Sequence, residues 1–197
     1  MNEGKREELS SRKRKLLLRL QVDDLIKYTI NDYLYIFDFL NNNKVLYDIE
    51  YLACASEELY STFLKALRDT NLRSYHFNNQ VIKLADNHYV HEKVEHIFPS
   101  SLQLRYLPQL PNYEKTFGLR SEAFLKAVNS LELSDETVYF FYCKYSPVIK
   151  LKLKDLQQHV TAFMDTELLA NDVCIVPLDF RWLIFGSIED EWGWGEK

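Results

Sequence analysis

The chain has 197 residues, 47% of them hydrophobic and 14% aromatic, with 24 basic against 29 acidic side chains and a formal charge of −5. That composition is too apolar for a disordered segment, and a chain of this length buries enough surface to hold a core without disulfides. The three cysteines, Cys54, Cys143 and Cys174, stand far apart without a CxxC pair. They fit neither a disulfide framework nor a zinc ribbon, and read as buried thiols in a reducing, cytoplasmic setting. Nowhere do 18 apolar residues run together, so neither a membrane span nor membrane binding is predicted.

Residues 1–20 form a basic helical arm, with seven basic residues (Lys5, Arg6, Arg12, Lys13, Arg14, Lys15, Arg19) and three acidic ones. The rest holds 17 basic and 26 acidic residues, a charge of −9. Such an arm suits nucleic acid, yet it has no aromatic for base stacking and an acidic body behind it. A solvated helix with its basic face over that body is the stronger expectation. Residues 21–197 are expected to form a single domain, with a possible subdivision near 99–118.

A helix is predicted over about 22–32 and a hairpin over 33–52. Tyr33–Phe39 is aromatic and β-favouring, Asn41-Asn42-Asn43 supplies a turn, and 44–51 alternates as a returning strand. Residues 56–69 read as a helix, with Ser56 as its cap and Leu59, Phe63, Leu64 and Leu67 on one face. Val90, Val94 and Ile97 mark the apolar side of another helix. The proline-bearing stretch 98–112 excludes a long helix, and Leu102, Leu104, Tyr106 and Leu110 suggest a packed connection. A further helix follows Ser121.

The last sixty residues predict β-β-α-β-β: strands at 137–144 and 148–153, a helix to Met164, and strands at 172–177 and 181–188. Leu178-Asp179-Phe180 joins the last two, and Pro177 is expected at a strand end. Helices early and a mostly antiparallel sheet late make the fold class α+β.

Catalytic patterns are scarce. His91-Glu92-Lys93-Val94-Glu95-His96 is near a zinc-protease motif, but its histidines lie five apart, about 140° around a helix. His88, His91, Glu92 and Glu95 share a face, leaving a metal-binding protein or hydrolase as an alternative; the other view is a polar helix face. The five glycines form no phosphate loop, no nucleophile elbow is present, and no cofactor is predicted. A non-enzymatic protein is favoured.

The carboxyl end, Glu189-Asp190-Glu191-Trp192-Gly193-Trp194-Gly195, reads as a strand end and glycine-loosened tail. Trp192 and Trp194 either close over the sheet edge as a lid or stand partly exposed as interface anchors among carboxylates. On the second view Asp179, Trp182, Glu189, Asp190, Glu191, Trp192 and Trp194 form an acidic surface for a basic protein partner.

Residues 138–195 also resemble small cytoplasmic bacterial α+β proteins, including immunity proteins of polymorphic and contact-dependent toxin systems. Pro177, Asp179, Phe180, Trp182, Ile184, Glu189, Asp190, Trp192 and Gly193 carry the resemblance. It implies a non-catalytic inhibitor that neutralises a toxin by binding it, often with an acidic face against a basic nuclease.

Overall fold

The computed structural model describes residues 3–27, 33–53, 57–68, 83–85, 89–100, 106–142, 146–165 and 172–197. These form α1 (Glu3–Leu25), α2 (Leu34–Asn42), β1 (Tyr47–Ala53), α3 (Glu57–Arg68), β2 (Lys83–Ala85), α4 (Tyr89–Ile97), β3 (Asn112–Lys115) and α5 (Arg120–Ser130). The carboxyl-terminal part adds β4 (Thr137–Tyr142), β5 (Val148–Lys152), α6 (Leu153–Gln158), α7 (Val160–Met164), β6 (Val173–Pro177), β7 (Trp182–Gly186) and β8 (Glu191–Glu196). The expected α+β class is observed. No helix among the described residues is long and apolar enough to cross a membrane.

One eight-stranded sheet runs in the order β2-β1-β5-β4-β6-β7-β8-β3, antiparallel except for the β1–β2 pair. Strands from both sides of 99–118 enter it, and β3 itself lies within that segment. Because side chains alternate across a strand, each central strand feeds two cores. Val138, Phe140, Ile175, Trp182 and Ile184 face the layer of α2, α3, α5, α6 and α7. Tyr139, Phe141, Cys174, Val176, Leu183 and Phe185 face α4 and the proline-rich connection. Burial on both faces explains why β4, β6 and β7 are almost uninterrupted runs of apolar side chains.

That connection is packed, as expected: Tyr106 Oη donates to the Phe98 carbonyl at 2.8 Å, and the Leu107 amide donates to Ser100 Oγ at 3.1 Å. Pro177 ends β6 opposite Val138. Ser56, His88, Leu102, Leu104, Cys54 and Cys143 lie outside the described residues.

Four expectations are corrected. The segment 34–42 is α2, not a strand, because Ile36, Phe37 and Leu40 fall on one helical face and are fully buried there. Of the predicted helix over 22–32, residues 22–25 are the end of α1, which continues unbroken to Leu25, and residues 28–32 lie outside the described residues. The glycine-rich tail is strand β8, paired with β7 on one side and β3 on the other. Finally, the 153–164 helix divides at His159, which has φ −116°.

None of the described glycines takes a positive φ; Lys44, Glu132, Phe180 and Asp190 do, at 50–61°. Lys44 and Glu132 close α2 and α5 by the same device. After α2, Val45 donates to the Leu40 carbonyl and Lys44 to that of Asn41; after α5, Leu133 donates to Val128 and Glu132 to Asn129. The residue next after the cap in this Schellman arrangement is left-handed and favours glycine. Lys44→Gly and Glu132→Gly, both at exposed positions, are each expected to stabilise the fold by about 0.5–1 kcal/mol in urea unfolding.

Candidate functional site

The two carboxyl-terminal hairpins share a turn design. In the β6–β7 turn the Phe180 amide donates to the Pro177 carbonyl at 3.0 Å, and in the β7–β8 turn the Asp190 amide donates to that of Ser187 at 3.2 Å. Each turn ends on a left-handed residue, the position of a type I turn with a G1 bulge. Aspartate tolerates that conformation better than most side chains; Phe180 holds it because its ring is buried against Tyr139, with Lys93 Nζ 4.2 Å from the ring centre.

These turns lie at opposite ends of β7, at least about 17 Å apart at the usual rise per residue. The residues expected to form one acidic surface are therefore divided. Asp179 is exposed at one end, where Arg181 Nη1 donates to its Oδ2 at 2.9 Å. Burial alone pushes the Asp179 carboxyl upward, but the side-chain and backbone hydrogen bonds from Arg181 outweigh it and hold the group below its ordinary value. Arg181 Nη2 also reaches Glu136 Oε1 at 2.6 Å, and the Trp182 indole donates to that same oxygen at 3.2 Å.

All three indoles lie inside. Trp182 and Trp192 are fully buried and Trp194 is 4% exposed, all three against the layer containing α5. The expectation that they anchor an interface directly is thus corrected: in β8 the tryptophans alternate with glycines, so both rings point to the same, helix-covered face. Gly193 and Gly195 point the other way, where Leu110 and Pro111 lie close against them.

At the far end of β7 a built surface remains, and it includes residues that sequence reasoning did not single out. The loop between β3 and α5 (116–119) is tied to the β7–β8 turn: the Thr116 amide donates to the Asp190 carbonyl at 2.9 Å. Arg120 Nε donates to Asp190 Oδ1 at 2.8 Å, and its Nη2 to the Ile188 carbonyl at 3.2 Å. Inside the turn, Ser187 Oγ accepts from the Glu189 and Glu191 amides, and Asp172 Oδ1 accepts from that of Ile188. On this frame Phe117 is 93% exposed, and Leu119 and Ile188 are about half exposed. Glu189 is exposed, while Asp190 and Glu191 are half-buried.

Exposure on this scale is costly. A phenylalanine left in water forgoes roughly 1.5–3 kcal/mol that burial would supply. The sequence signal was slight, a single aromatic in Thr116-Phe117-Gly118-Leu119 among turn-forming residues.

Of the histidine cluster, His91, Glu92 and Glu95 are among the described residues. His91 is half-buried, edge-on to Tyr106 and Phe141, with its Nε2 3.4 Å from Glu95 Oε1. Glu92 and Glu95 are exposed, and no group of three metal-ligating side chains occurs among the described residues. The basic arm is the first part of α1, which packs on α3 and carries an Arg14–Glu58 ion pair at 2.5 Å. Comparison with protein-family models, curated proteins and solved structures finds no match.

Proposed function

We propose that this protein is a non-enzymatic, cytoplasmic binding protein of the immunity type, which neutralises a cationic protein through the surface built by residues 116–119 and 187–190. The observation that carries this reading is Phe117, almost wholly exposed on a loop held by Arg120 and by the Thr116–Asp190 hydrogen bond. A loop whose backbone is fixed before binding loses less freedom on docking, which favours the aromatic it carries as an interface anchor. The adjoining Glu189, and a charge of −9 outside the first twenty residues, favour a basic partner and speed its approach. The acidic surface differs from the sequence expectation in its apolar part: Phe117, Leu119 and Ile188 take the place of the tryptophans. Asp179, at the opposite end of β7, falls outside it.

The test installs a photo-crosslinking amino acid at position 117 in the native host, identifies the captured protein and measures its affinity with purified components. The partner is expected to be basic and to bind more weakly as salt rises. Phe117→Ser should weaken binding at least tenfold, about 1.4 kcal/mol, with folding unchanged because the side chain is in water. Glu189→Lys should mainly slow association. A partner indifferent to salt and to both substitutions overturns the proposal.

A further inference from the structure

The helix α1 carries apolar side chains on two faces, and only one of them is used. Leu18, Val22 and Leu25 recur at helical spacing, and all three belong to the core or pack against it. Leu9, Leu16 and Leu20 recur seven and four residues apart on the opposite side, and together with Leu17 they are 50–59% exposed. Every residue from Gly4 to Leu17 is exposed. A helix so largely surrounded by water receives little support from tertiary packing, and short isolated helices are marginal in water. A stripe of leucines along such a helix is the pattern of a helix that packs on another helix.

We infer that this stripe is the seam of a dimer in which α1 pairs antiparallel with α1 of a second copy. The charges at the two ends of the stripe favour that partner, while between them Lys13 lies on the stripe and Arg12 and Arg19 lie on the flank of Lys5. Lys5 and Asp23 lie 18 residues apart, about five full turns, and so share one flank; Arg6 and Asp24 share the other in the same way. All four side chains are exposed. Antiparallel pairing brings like flanks together. With Leu9 set against the second copy's Leu20, Lys5 meets the second copy's Asp23 and Arg6 meets the second copy's Asp24, each twice by symmetry. The opposed helix dipoles act in the same sense. A parallel pair brings opposite flanks together and would instead place Lys5 beside the second copy's Arg6 and Asp23 beside its Asp24. An anionic membrane is the less favoured occupant, because Asp23 and Asp24 flank the same stripe and the body behind it is acidic. This dimer is independent of the surface around Phe117 and stands if that proposal fails.

Sedimentation velocity of the full chain across micromolar concentrations tests it, with near-ultraviolet circular dichroism of the three buried indoles confirming that each variant is folded. The native chain is expected to dimerise reversibly. Leu16→Glu with Leu20→Glu should raise the dissociation constant at least about tenfold. Lys5→Glu with Arg6→Glu should also weaken the dimer, and adding Asp23→Lys and Asp24→Lys to that pair should restore it. A chain that stays monomeric throughout, or a dimer insensitive to charge reversal, overturns the inference. So does binding to phosphatidylserine vesicles through the leucines without dimerisation, which would assign the stripe to a membrane surface.

Discussion

Truncating Trp192 to alanine is expected to lower the unfolding free energy by about 4 kcal/mol, measured by urea denaturation. The ring is fully buried between β8 and the helical layer, among the largest side chains with no access to solvent. Its Nε1 has no hydrogen-bond acceptor among the described residues, so the loss is one of packing. Alanine leaves a cavity that the surrounding strands cannot collapse into without breaking the register of β7 with β8. Domains are stable by only about 5–15 kcal/mol, so this one truncation removes a large share of the total. In a chain of this size it corresponds to a melting temperature lower by about 10 °C. A loss below about 1 kcal/mol would mean that the ring is not seated in the core.

The second large effect is the reverse defect at the same place. Gly186 pairs with Trp192 across the β7–β8 ladder, and a Cβ built on Gly186 would lie 2.7 Å from the indole Cζ2 and 2.8 Å from Cε2. The ring has nowhere to retreat, so Gly186→Ala should cost about 3 kcal/mol. Gly195→Ala meets a closer atom, Pro111 Cδ at 2.2 Å, on a ring bonded to the main chain beside Asn112, so it too should destabilise the sheet. A double-mutant cycle separates strain from any wider change. In a Trp192→Leu background the alanine at 186 should be nearly neutral, giving a coupling of about 2 kcal/mol between the two positions. Equal costs in both backgrounds would show that the glycine serves the backbone, not the ring.

Much of the sheet was legible because the evidence for it is local. Strands β4 to β7 announce themselves by β-branched and aromatic runs with turn residues between them, and α3 and α5 by apolar side chains at helical spacing. The errors fall where a distant contact decides. Tyr33–Phe39 suits a strand and a helix equally by residue type, and the burial of Ile36, Phe37 and Leu40 against the sheet settles it as a helix. Asn112–Lys115 is polar and short; it becomes a strand only because β8 lies beside it. The glycines of β8 suggested looseness, but they serve close approach, since their φ values are ordinary and their missing side chains leave space for Leu110 and Pro111. The candidate site was half legible. The acidic turn stands out in the sequence, whereas the exposure of Phe117 depends on a loop followed by Arg120, which is held by Asp190, 70 positions further on.

The order of the strands also limits how this protein meets itself. An open sheet ends in rows of unpaired amides and carbonyls onto which another chain can add a strand, the usual route to aggregation in β-rich proteins. Among the described residues the two margins are the shortest strands, β2 with three residues and β3 with four. Beside β3, Pro111 offers no amide hydrogen and Lys115 adds a charge that resists stacking. The long apolar strands that would template a fibril are confined to the middle, with a neighbour on either side. A sheet bordered in this way resists uncontrolled growth at its rims and leaves orderly pairing to the helical surface.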